Sequence, residues 1–428
     1  MRLLHTSDWH LGATIEKASC EEEQTAFLEW LVDELDERET DVLVVSGDVF
    51  HYRDPSNAAE RLYFDFLVAC ARLDGLRKVV VVAGNHDSPS KLEAPERVLQ
   101  VLDVHVVGRM PDDEAIDSCL IPIRGDGGEV QGVVAAVPYV RDARLGLTVR
   151  GTTAADRREQ YVQAFEELYR DVARRARDRW PDVPLVATGH LTCYAPSDQG
   201  ESGDFDTAIH AADPDRAGGS TGHIEPLGPE VFDAEYDYAA LGHLHRSMRV
   251  GDSVAHYSGT PVPTKLDEAA TGRRVLDVRW PDGSGEPEIE WVEVPLWRDV
   301  VEFQGPPDDV LDQLRELAYE KPLPPYLYLE VELGREEAAS DVLARAQAIL
   351  DERFADADRP RIVDDRYFDA SAGEASEGFE QSESLDDLEP VEVFCRKYER
   401  DRGADEQPSE ELLEAFRQLE NDVRAGEE

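Results

Sequence analysis

Five short apolar runs in this chain each end in polar residues of the kinds that bind metal ions. In chain order the motifs are Asp8-Trp9-His10, Gly47-Asp48, Gly84-Asn85-His86-Asp87, Gly189-His190 and Gly242-His243-Leu244-His245. The carboxyl ends of the strands in an open α/β sheet are where ligands converge, so motifs far apart in sequence can meet there. Carboxylate, amide and imidazole groups without a thiolate suit Mn²⁺, iron or zinc in a hydrolytic site. The motifs therefore predict one catalytic metal centre.

A glycine precedes the polar residues in four of these five motifs. A tight turn that leaves a strand often requires a positive φ or a close approach of the backbone, which glycine allows at little cost. A single histidine at the end of a strand is commonly a hydrogen-bonded core residue. Five such motifs, each after an apolar run, favour a shared functional site over separate structural roles.

Apolar patterning places these motifs on a largely parallel sheet. Residues 42–45 and 79–82 are continuous apolar runs of the buried-strand type, and residues 21–38 and 58–73 carry apolar side chains at helical spacing. Strands that alternate with helices in this way indicate βαβ units and an α/β fold. Further strands are predicted at residues 116–121, 133–137, 185–188 and 238–241, with a long charged helix at 155–180.

The pattern changes near residue 295, and this change divides the chain into predicted domains. We expect one domain over residues 1–294, with a polar, acidic insertion at 195–228. A small α+β domain over residues 295–370 is predicted from strands at 300–303 and 326–331 and helices at 307–319 and 336–354. Residues 371–384 contain neither Lys nor Arg and are interpreted as a linker. Residues 385–428 are predicted to be a helical tail with two amphipathic segments, 390–400 and 409–423.

The composition is strongly acidic, because 93 Asp and Glu oppose 44 Lys and Arg and give a formal net charge of −49. The acidic residues are spread along almost the whole chain and lysine is rare. This distribution is typical of halophilic proteins, in which high salt screens self-repulsion. The alternative, an acidic tail or an acidic binding domain, would concentrate the charge. The basic footprint that usually marks a DNA-binding protein is absent.

Membrane insertion and disulfide bonding are not expected. No stretch approaches about 18 consecutive apolar residues, so we expect no membrane span, and the first residues carry no signal-peptide pattern. The five cysteines lie far apart, without the paired spacing of a zinc site or a disulfide framework. Such cysteine usage is typical of a reducing cytoplasm, which is the predicted location.

The five motifs in this order resemble those of the calcineurin-like metallophosphoesterases. The segments LLHTSDWHLG, SGDVFH, AGNHDS, ALGHLHR and YSGTPVP are similar in particular to the SbcD nuclease subunits of SbcCD complexes. The resemblance covers about residues 1–270 and implies a four-layer sandwich of two mixed β-sheets flanked by helices. It also implies a protein that hydrolyses DNA phosphodiesters in repair, recombination and replication. The expected activities are exonuclease at duplex ends and endonuclease on single strands and hairpins.

Carried over by motif, the resemblance implies a centre of two divalent ions, usually Mn²⁺. One ion would be bound by Asp8, His10, Asp48 and His245, and the other by Asp48, Asn85, His190 and His243. A carboxylate shared by two ions holds them about 3.5–4 Å apart, so that they clamp a phosphodiester and activate a water. His86 would stabilise the transition state or protonate the leaving oxygen. Asp87 would orient His86, and His51 would help to position the DNA.

The resemblance further implies a partner protein and a homodimer. The tail would dock on an SbcC-like ATPase of the SMC type, and the alternative is a helix pair packed back on the small domain. Two copies of the nuclease would pair through helices of residues 57–100. The insertion at 195–228 would either alter DNA access or only elaborate the surface. Competing functions are a phosphodiesterase or phosphatase acting on small nucleotides and a catalytically dead scaffold. The filled ligand positions disfavour the scaffold.

Overall fold

A computed structural model describes residues 1–16, 18–141, 154–195, 227–233, 235–265, 268, 272–334 and 338–369. Nearly all of the predicted insertion, the predicted linker at 371–384 and the predicted tail at 385–428 lie outside the described residues. In the described part of the chain, no helix is long and apolar enough to cross a membrane.

The described strands alternate with helices through the first half of the chain. The strands are β1 (Arg2–Thr6), β2 (Thr14–Ile15), β3 (Ala18–Ser19), β4 (Val42–Ser46), β5 (Lys78–Val82), β6 (Val104–Val107), β7 (Leu120–Arg124), β8 (Val130–Ala135), β9 (Leu185–His190), β10 (Tyr238–Gly242), β11 (Met248–Arg249), β12 (Ala255–Tyr257), β13 (Arg274–Arg279), β14 (Glu288–Glu293), β15 (Val300–Gly305), β16 (Tyr326–Leu333) and β17 (Arg361–Asp369). The helices are α1 (Glu21–Glu37), α2 (Asn57–Cys70), α3 (Pro89–Glu93), α4 (Glu96–Leu99), α5 (Ala154–Arg179), α6 (Glu230–Asp233), α7 (Pro307–Glu316) and α8 (Ala339–Arg353).

Two six-stranded mixed sheets form the larger part of the fold. The first has the order β14-β13-β1-β4-β5-β6, and the second has the order β11-β12-β10-β9-β8-β7. Strands β1, β4, β5 and β6 are parallel to one another, β13 is antiparallel to β1, and the edge strand β14 is antiparallel to β13. In the second sheet β8, β9, β10 and β12 are parallel, with antiparallel β7 and β11 at the two edges. The expected α/β fold with two mixed sheets is confirmed.

Alternate residues of the central strands enter different apolar layers, as the pleat of a strand requires. Leu3 and Val44 pack between the sheets, against residues of the second sheet that include Val186. Their neighbours Leu4 and Val45 pack on the other side of the first sheet, where α1 and α2 contribute to the cluster. Helices α5 and α6 cover the outer face of the second sheet. The order helix, sheet, sheet, helix gives four layers.

A three-stranded sheet of order β15-β16-β17 follows, with α7 and α8 packed on it. The third strand, β17, was not predicted, because Arg361–Asp369 has the sequence RIVDDRYFD, in which charges interrupt the apolar alternation. The strand predicted at residues 116–121 was wrong at its start. Residues Ile116–Cys119 form a 3₁₀ turn, and the strand begins at Leu120. The boundary near residue 295 stays a prediction.

Arg298 joins this three-stranded sheet to helix α1. Its side chain is 4% exposed, and its Nε donates to Glu23 Oε1 at 2.5 Å. The guanidinium also lies 4.3 Å from the centre of the Tyr326 ring. The Tyr326 hydroxyl donates to the main-chain oxygen of Ser19 at 2.7 Å. This buried polar junction fixes the small sheet beside the strands and turns that follow β1.

Candidate metal centre

All of the predicted metal ligands lie at the carboxyl ends of strands. The first sheet supplies Asp8 and His10 after β1, Asp48 after β4 and Asn85 after β5, and the second supplies His190 at the end of β9 and His243 and His245 after β10. Because β4 contacts β9 and β10 across the layer between the sheets, both sets of strand ends reach one place. The fold therefore brings together residues from five separate motifs.

The turns that carry four of these residues have a strained backbone. The φ angles are 53° at Asp8, 46° at His10, 51° at Asp48 and 100° at His243. Positive φ is uncommon for residues other than glycine and costs on the order of 1–3 kcal/mol each, so such residues concentrate at functional sites. Hydrogen bonds between the turns hold them: Asp8 N–H donates to Gly47 O, and His10 N–H donates to Asp48 O, both at 3.0 Å.

Two glycines are required by the close approach of neighbouring chain segments. A Cβ on Gly84 would lie 2.0 Å from Asp48 Oδ1, and a Cβ on Gly47, where φ is +94°, would lie 2.3 Å from His190 Nδ1. Real side chains do not approach so closely. The expectation that glycine permits close backbone approach at these turns agrees with this geometry.

Asp8, His10 and His245 form the first cluster of possible ligands. One ligand atom from each lies within 4.8 Å of the others. The Nε2 atoms of His10 and His245 are 3.1 Å apart. Asp48 Oδ2 lies 3.7 Å from His10 Nε2. The Asp8 carboxylate is held by Ser7 Oγ, which donates at 2.5 Å, and by the His243 main-chain N–H at 3.0 Å.

A second cluster surrounds the other side of Asp48. Asp48 Oδ2 lies 3.2 Å from His190 Nε2. Asn85 Oδ1 lies 2.9 Å from His190 Nε2 and 3.1 Å from His243 Nδ1. The Asp48 carboxylate thus reaches an imidazole of each cluster, while its Oδ1 accepts the His86 main-chain N–H at 2.9 Å.

Burial and neighbouring charges together determine the pKa values of these predicted ligands. Burial lowers the pKa of His243 to about 3 and that of His10 well below its usual value, which leaves both imidazoles neutral. Burial opposes ionisation of Asp48, yet the His190 imidazole beside it holds the pKa of Asp48 well below its usual range. The same pairing overcomes burial at His190 and raises its pKa to about 9. Burial raises the pKa of Asp8.

These residues fit a divalent cation. Asp8 and Asp48 are at most 2% exposed, and buried carboxylates require a compensating positive charge. The imidazoles of His10 and His245 point nitrogen atoms toward each other within 3.1 Å, where at most one proton can lie between them. Oxygen and imidazole ligands without sulfur are the set that Mn²⁺, iron and zinc accept in hydrolytic sites.

His86 and His51 lie beside the first cluster. The His10 and His86 ring centres are 5.0 Å apart, and His51 stacks on His86 at 5.7 Å. His86 Nδ1 lies 3.0 Å from the main-chain oxygen of His51, to which it can donate a hydrogen bond. Burial lowers the pKa of His51 to about 4, so this imidazole is neutral near pH 7. Two further imidazoles therefore border the first cluster.

Asp87 has different contacts from those that its sequence position suggested. Its carboxylate is fully buried and accepts hydrogen bonds from the main-chain N–H groups of Val49, Phe50 and Gly84, at 3.2, 2.9 and 2.8 Å. Burial raises the pKa of Asp87 to about 6. These contacts join the turn after β4 to the turn after β5. The Asp87 carboxylate thus holds two ligand-bearing turns, whereas the His86 ring is bonded to the main chain of His51.

Glu268 belongs to the site and was missed by sequence analysis. Its Oε1 lies 2.6 Å from Nδ1 of His245. Glu268 does not follow an apolar run, so the pattern that found the other residues did not select it. The available signal was its position just beyond the YSGTPVP segment.

Comparisons with known proteins agree with this architecture. Residues 1–247 match the calcineurin-like phosphoesterase family, and residues 297–402 match the family described as the type 5 capsule protein repressor C-terminal domain. A Rhodobacter capsulatus protein named as the D subunit of nuclease SbcCD is 34% identical over 82% of this chain and 84% of its own length. Proteins of the same name from Escherichia coli K12 and Bacillus subtilis are 27% and 30% identical, over 93% and 69% of this chain and 92% and 70% of theirs.

The two sheets, the strand-end ligands and the match over residues 1–247 define a calcineurin-like phosphoesterase. Within that class, the chain belongs to the SbcD family of nucleases, as the relative at 34% identity shows. It is therefore a metal-dependent nuclease, a phosphodiester hydrolase that uses divalent metal ions. The family resemblance drawn from the five motifs is confirmed.

Proposed function

We propose that this chain is the nuclease component of an SbcCD-like complex and hydrolyses DNA in repair and recombination. The proposed activities are exonuclease at duplex ends and endonuclease on single strands and hairpins. The observation that carries the proposal is the convergence of all the predicted ligands and His86 at the carboxyl ends of the two sheets. The relatives, which are named as components of nuclease SbcCD, support the partner and the substrate class.

The proposed centre holds two ions, which we assign as Mn²⁺. One is assigned to Asp8, His10, Asp48 and His245, and the other to Asp48, Asn85, His190 and His243. Asp48 is shared in this assignment because its Oδ2 lies within 3.7 Å of an imidazole from each cluster. When bound, such ions supply Lewis-acid polarisation of a phosphodiester and lower the pKa of a coordinated water.

His86 is proposed to stabilise the transition state or to donate a proton to the leaving oxygen. Its Nδ1 is engaged with the main-chain oxygen of His51, which fixes the ring and leaves Nε2 for the substrate. Its main-chain N–H holds Asp48, so the ring is tied to the position of the proposed shared ligand. His51, stacked on this ring, is proposed to help position the DNA strand.

A homodimer is proposed through the helices of residues 57–100. Phe64 and Val68 are 36% and 42% exposed on α2, and Val98 and Val101 are 67% and 81% exposed in and just after α4. Exposed apolar side chains on these helices suit a contact between two copies of the chain. The variant Phe64→Asp with Val98→Asp should then be monomeric in sedimentation analysis, while the wild type should be dimeric.

Docking of residues 385–428 on an SbcC-like ATPase stays a proposal, since these residues lie outside the described part. Cytoplasmic location is likewise proposed. The four described cysteines are all buried and no disulfide joins them, which is typical of a reducing compartment.

The nuclease assay compares His86→Gln with the matched variant His105→Gln, which replaces a histidine on β6. With Mn²⁺ and linear duplex DNA, His86→Gln should reduce kcat by about 10²–10⁴-fold, the range for loss of a general acid. His105→Gln should retain wild-type activity, and both should bind Mn²⁺. Cleavage of a chromogenic phosphodiester without any DNA cleavage by the wild-type complex would favour the small-nucleotide phosphodiesterase. Equal DNA cleavage by both variants would contradict the role of His86.

A further inference from the structure

We infer that Glu268 is a positioning residue that orients the His245 imidazole toward the ions. The inference rests on the proposed function, because it assigns His245 Nε2 to a metal ion. The two ring nitrogens of His245 have different partners. Nε2 lies 3.1 Å from His10 Nε2, inside the first cluster, whereas Nδ1 lies 2.6 Å from Glu268 Oε1. A hydrogen on Nδ1 shared with this carboxylate leaves the lone pair on Nε2.

The Glu268 carboxylate is itself held firmly. Its Oε2 accepts from the Thr264 main-chain N–H at 2.8 Å, the Thr264 hydroxyl at 3.0 Å and the Lys265 main-chain N–H at 3.2 Å. One oxygen therefore binds the loop while the other faces His245. This division gives the carboxylate one orientation.

The loop that bears these donors is attached to the metal centre on two sides. Thr260 N–H donates to the main-chain oxygen of His245 at 3.0 Å, and the Thr260 hydroxyl donates to the main-chain oxygen of Asp8 at 2.9 Å. A Cβ on Gly259, where φ is +75°, would lie 2.6 Å from that same His245 oxygen. The loop thus follows the His245 segment closely and presents Glu268 at a fixed place.

His245 requires such support more than His10 and His190 do. Its side chain is 20% exposed, whereas those of His10 and His190 are 2% and 0% exposed and are held by packing. His190 Nδ1 is bonded to the main-chain oxygen of Ser46 at 2.9 Å. A carboxylate on the remote nitrogen of a ligand histidine fixes its tautomer and raises its basicity, and loss of such a partner typically weakens metal binding by about 10–100-fold.

The test measures Mn²⁺ binding to the full-length chain by titration calorimetry for wild type, Glu268→Ala, Glu268→Gln and Glu286→Gln. Glu268→Ala should weaken one Mn²⁺ site by about 10–100-fold and leave the other unchanged. Glu268→Gln should lose less, since its amide oxygen can still accept from Nδ1. Glu286→Gln, at an exposed glutamate in the turn before β14, should match wild type.

Two further measurements separate positioning from a purely structural role. Glu268→Ala should remain folded in EDTA, as judged by its thermal unfolding, and its kcat on duplex DNA should recover at saturating Mn²⁺. Equal Mn²⁺ affinities in wild type and Glu268→Ala would overturn the inference alone. So would a loss of affinity that is accompanied by unfolding in EDTA. Absence of Mn²⁺ binding or DNA cleavage by wild type would contradict the proposed function as well.

Discussion

The turn after β5 packs directly against the carboxylate of Asp48. A Cβ on Gly84 would meet Asp48 Oδ1 at 2.0 Å and the Asp48 main-chain nitrogen at 2.4 Å. Neither can move away freely, because Asp87 bonds the Gly84 and Val49 N–H groups together. Ligand geometry at this point is therefore sensitive to a single methyl group.

Gly84→Ala should displace Asp48 and reduce kcat on DNA by about 10²-fold, the effect expected for a misplacement of about 1 Å. Mn²⁺ affinity should fall in the same variant. Gly75→Ala is the control, since a Cβ there meets no atom within 4 Å. Both would be measured by Mn²⁺-dependent release of nucleotides from linear duplex DNA. Wild-type activity in Gly84→Ala would show that Asp48 is not held as described.

Buried histidines make stability depend on pH. His5 is fully buried between the sheets and its Nδ1 lies 2.9 Å from the Tyr238 hydroxyl. Burial, with His256 nearby, lowers the pKa of His5 to about 3. In the unfolded chain the pKa of His5 has its ordinary value of about 6.5. Below that pH, His5 therefore takes up a proton in the unfolded chain while it stays neutral in the folded chain. His5 therefore contributes stability above pH about 6.5 that is lost as pH falls.

Between pH about 6.5 and 4, the free energy of unfolding should fall by up to about 1.4 kcal/mol per pH unit on account of His5. His5→Gln should have a shallower pH dependence than wild type over this range. Urea unfolding at several pH values measures both slopes. Identical slopes would mean that His5 titrates equally in the folded and unfolded chains.

Site residues at the ends of strands could be predicted from the sequence, whereas those brought to the site by the folding of a loop or turn could not. Asp8 and Asp48 follow parallel strands of the first sheet and His190 ends a parallel strand of the second, so the direction of the strands places all three at the carboxyl ends of the sheets. Glu268 reaches His245 only because its loop folds back on that segment, which no local pattern encodes. Asp87 is adjacent to His86 in sequence, but in the turn its carboxylate faces main-chain N–H groups instead.

At the scale of elements, long apolar runs such as β4 and β5 were predicted well, because continuous burial leaves little choice of structure. The edge strand β17 was missed. An edge strand can carry charged side chains, and these interrupt the apolar alternation by which a strand is predicted from the sequence. The junction between α1 and β16 was also invisible in sequence. It depends on Arg298, Glu23 and Tyr326, which are distant along the chain and individually ordinary.

Arg298→Ala should lower the free energy of unfolding by about 3–5 kcal/mol, because it leaves the Glu23 carboxylate, only 7% exposed, without its partner. The matched variant is Arg345→Ala on α8, whose ion pair with Asp308 at 2.9 Å is exposed on both sides. Exposed pairs contribute about 0–1 kcal/mol, so this variant should resemble wild type. Chemical denaturation measures both. Equal losses in the free energy of unfolding would show that the buried junction stabilises the fold no more than an exposed ion pair does.

The acidity of the whole molecule is a separate problem from the chemistry of the metal centre. The buried carboxylates of the site account for few of the 93 acidic residues, and most acids of the described helices lie on exposed faces. Self-repulsion of a chain with net charge −49 acts over the Debye length, which shortens from about 8 Å at 0.15 M salt to about 3 Å at 1 M.

Screening of this repulsion should make the chain more stable as salt rises. Each 1 kcal/mol gained corresponds to roughly 2–4 °C in domains of about 200 residues, so we expect Tm to rise by several degrees between 0.15 M and about 2 M KCl. NaCl should act similarly if screening is the cause, while sucrose at matched osmolality separates screening from exclusion of solute. Calorimetry in EDTA keeps metal binding out of the comparison. A Tm that is flat or falls with KCl would contradict the halophilic interpretation, since the charge would then be tolerated without screening.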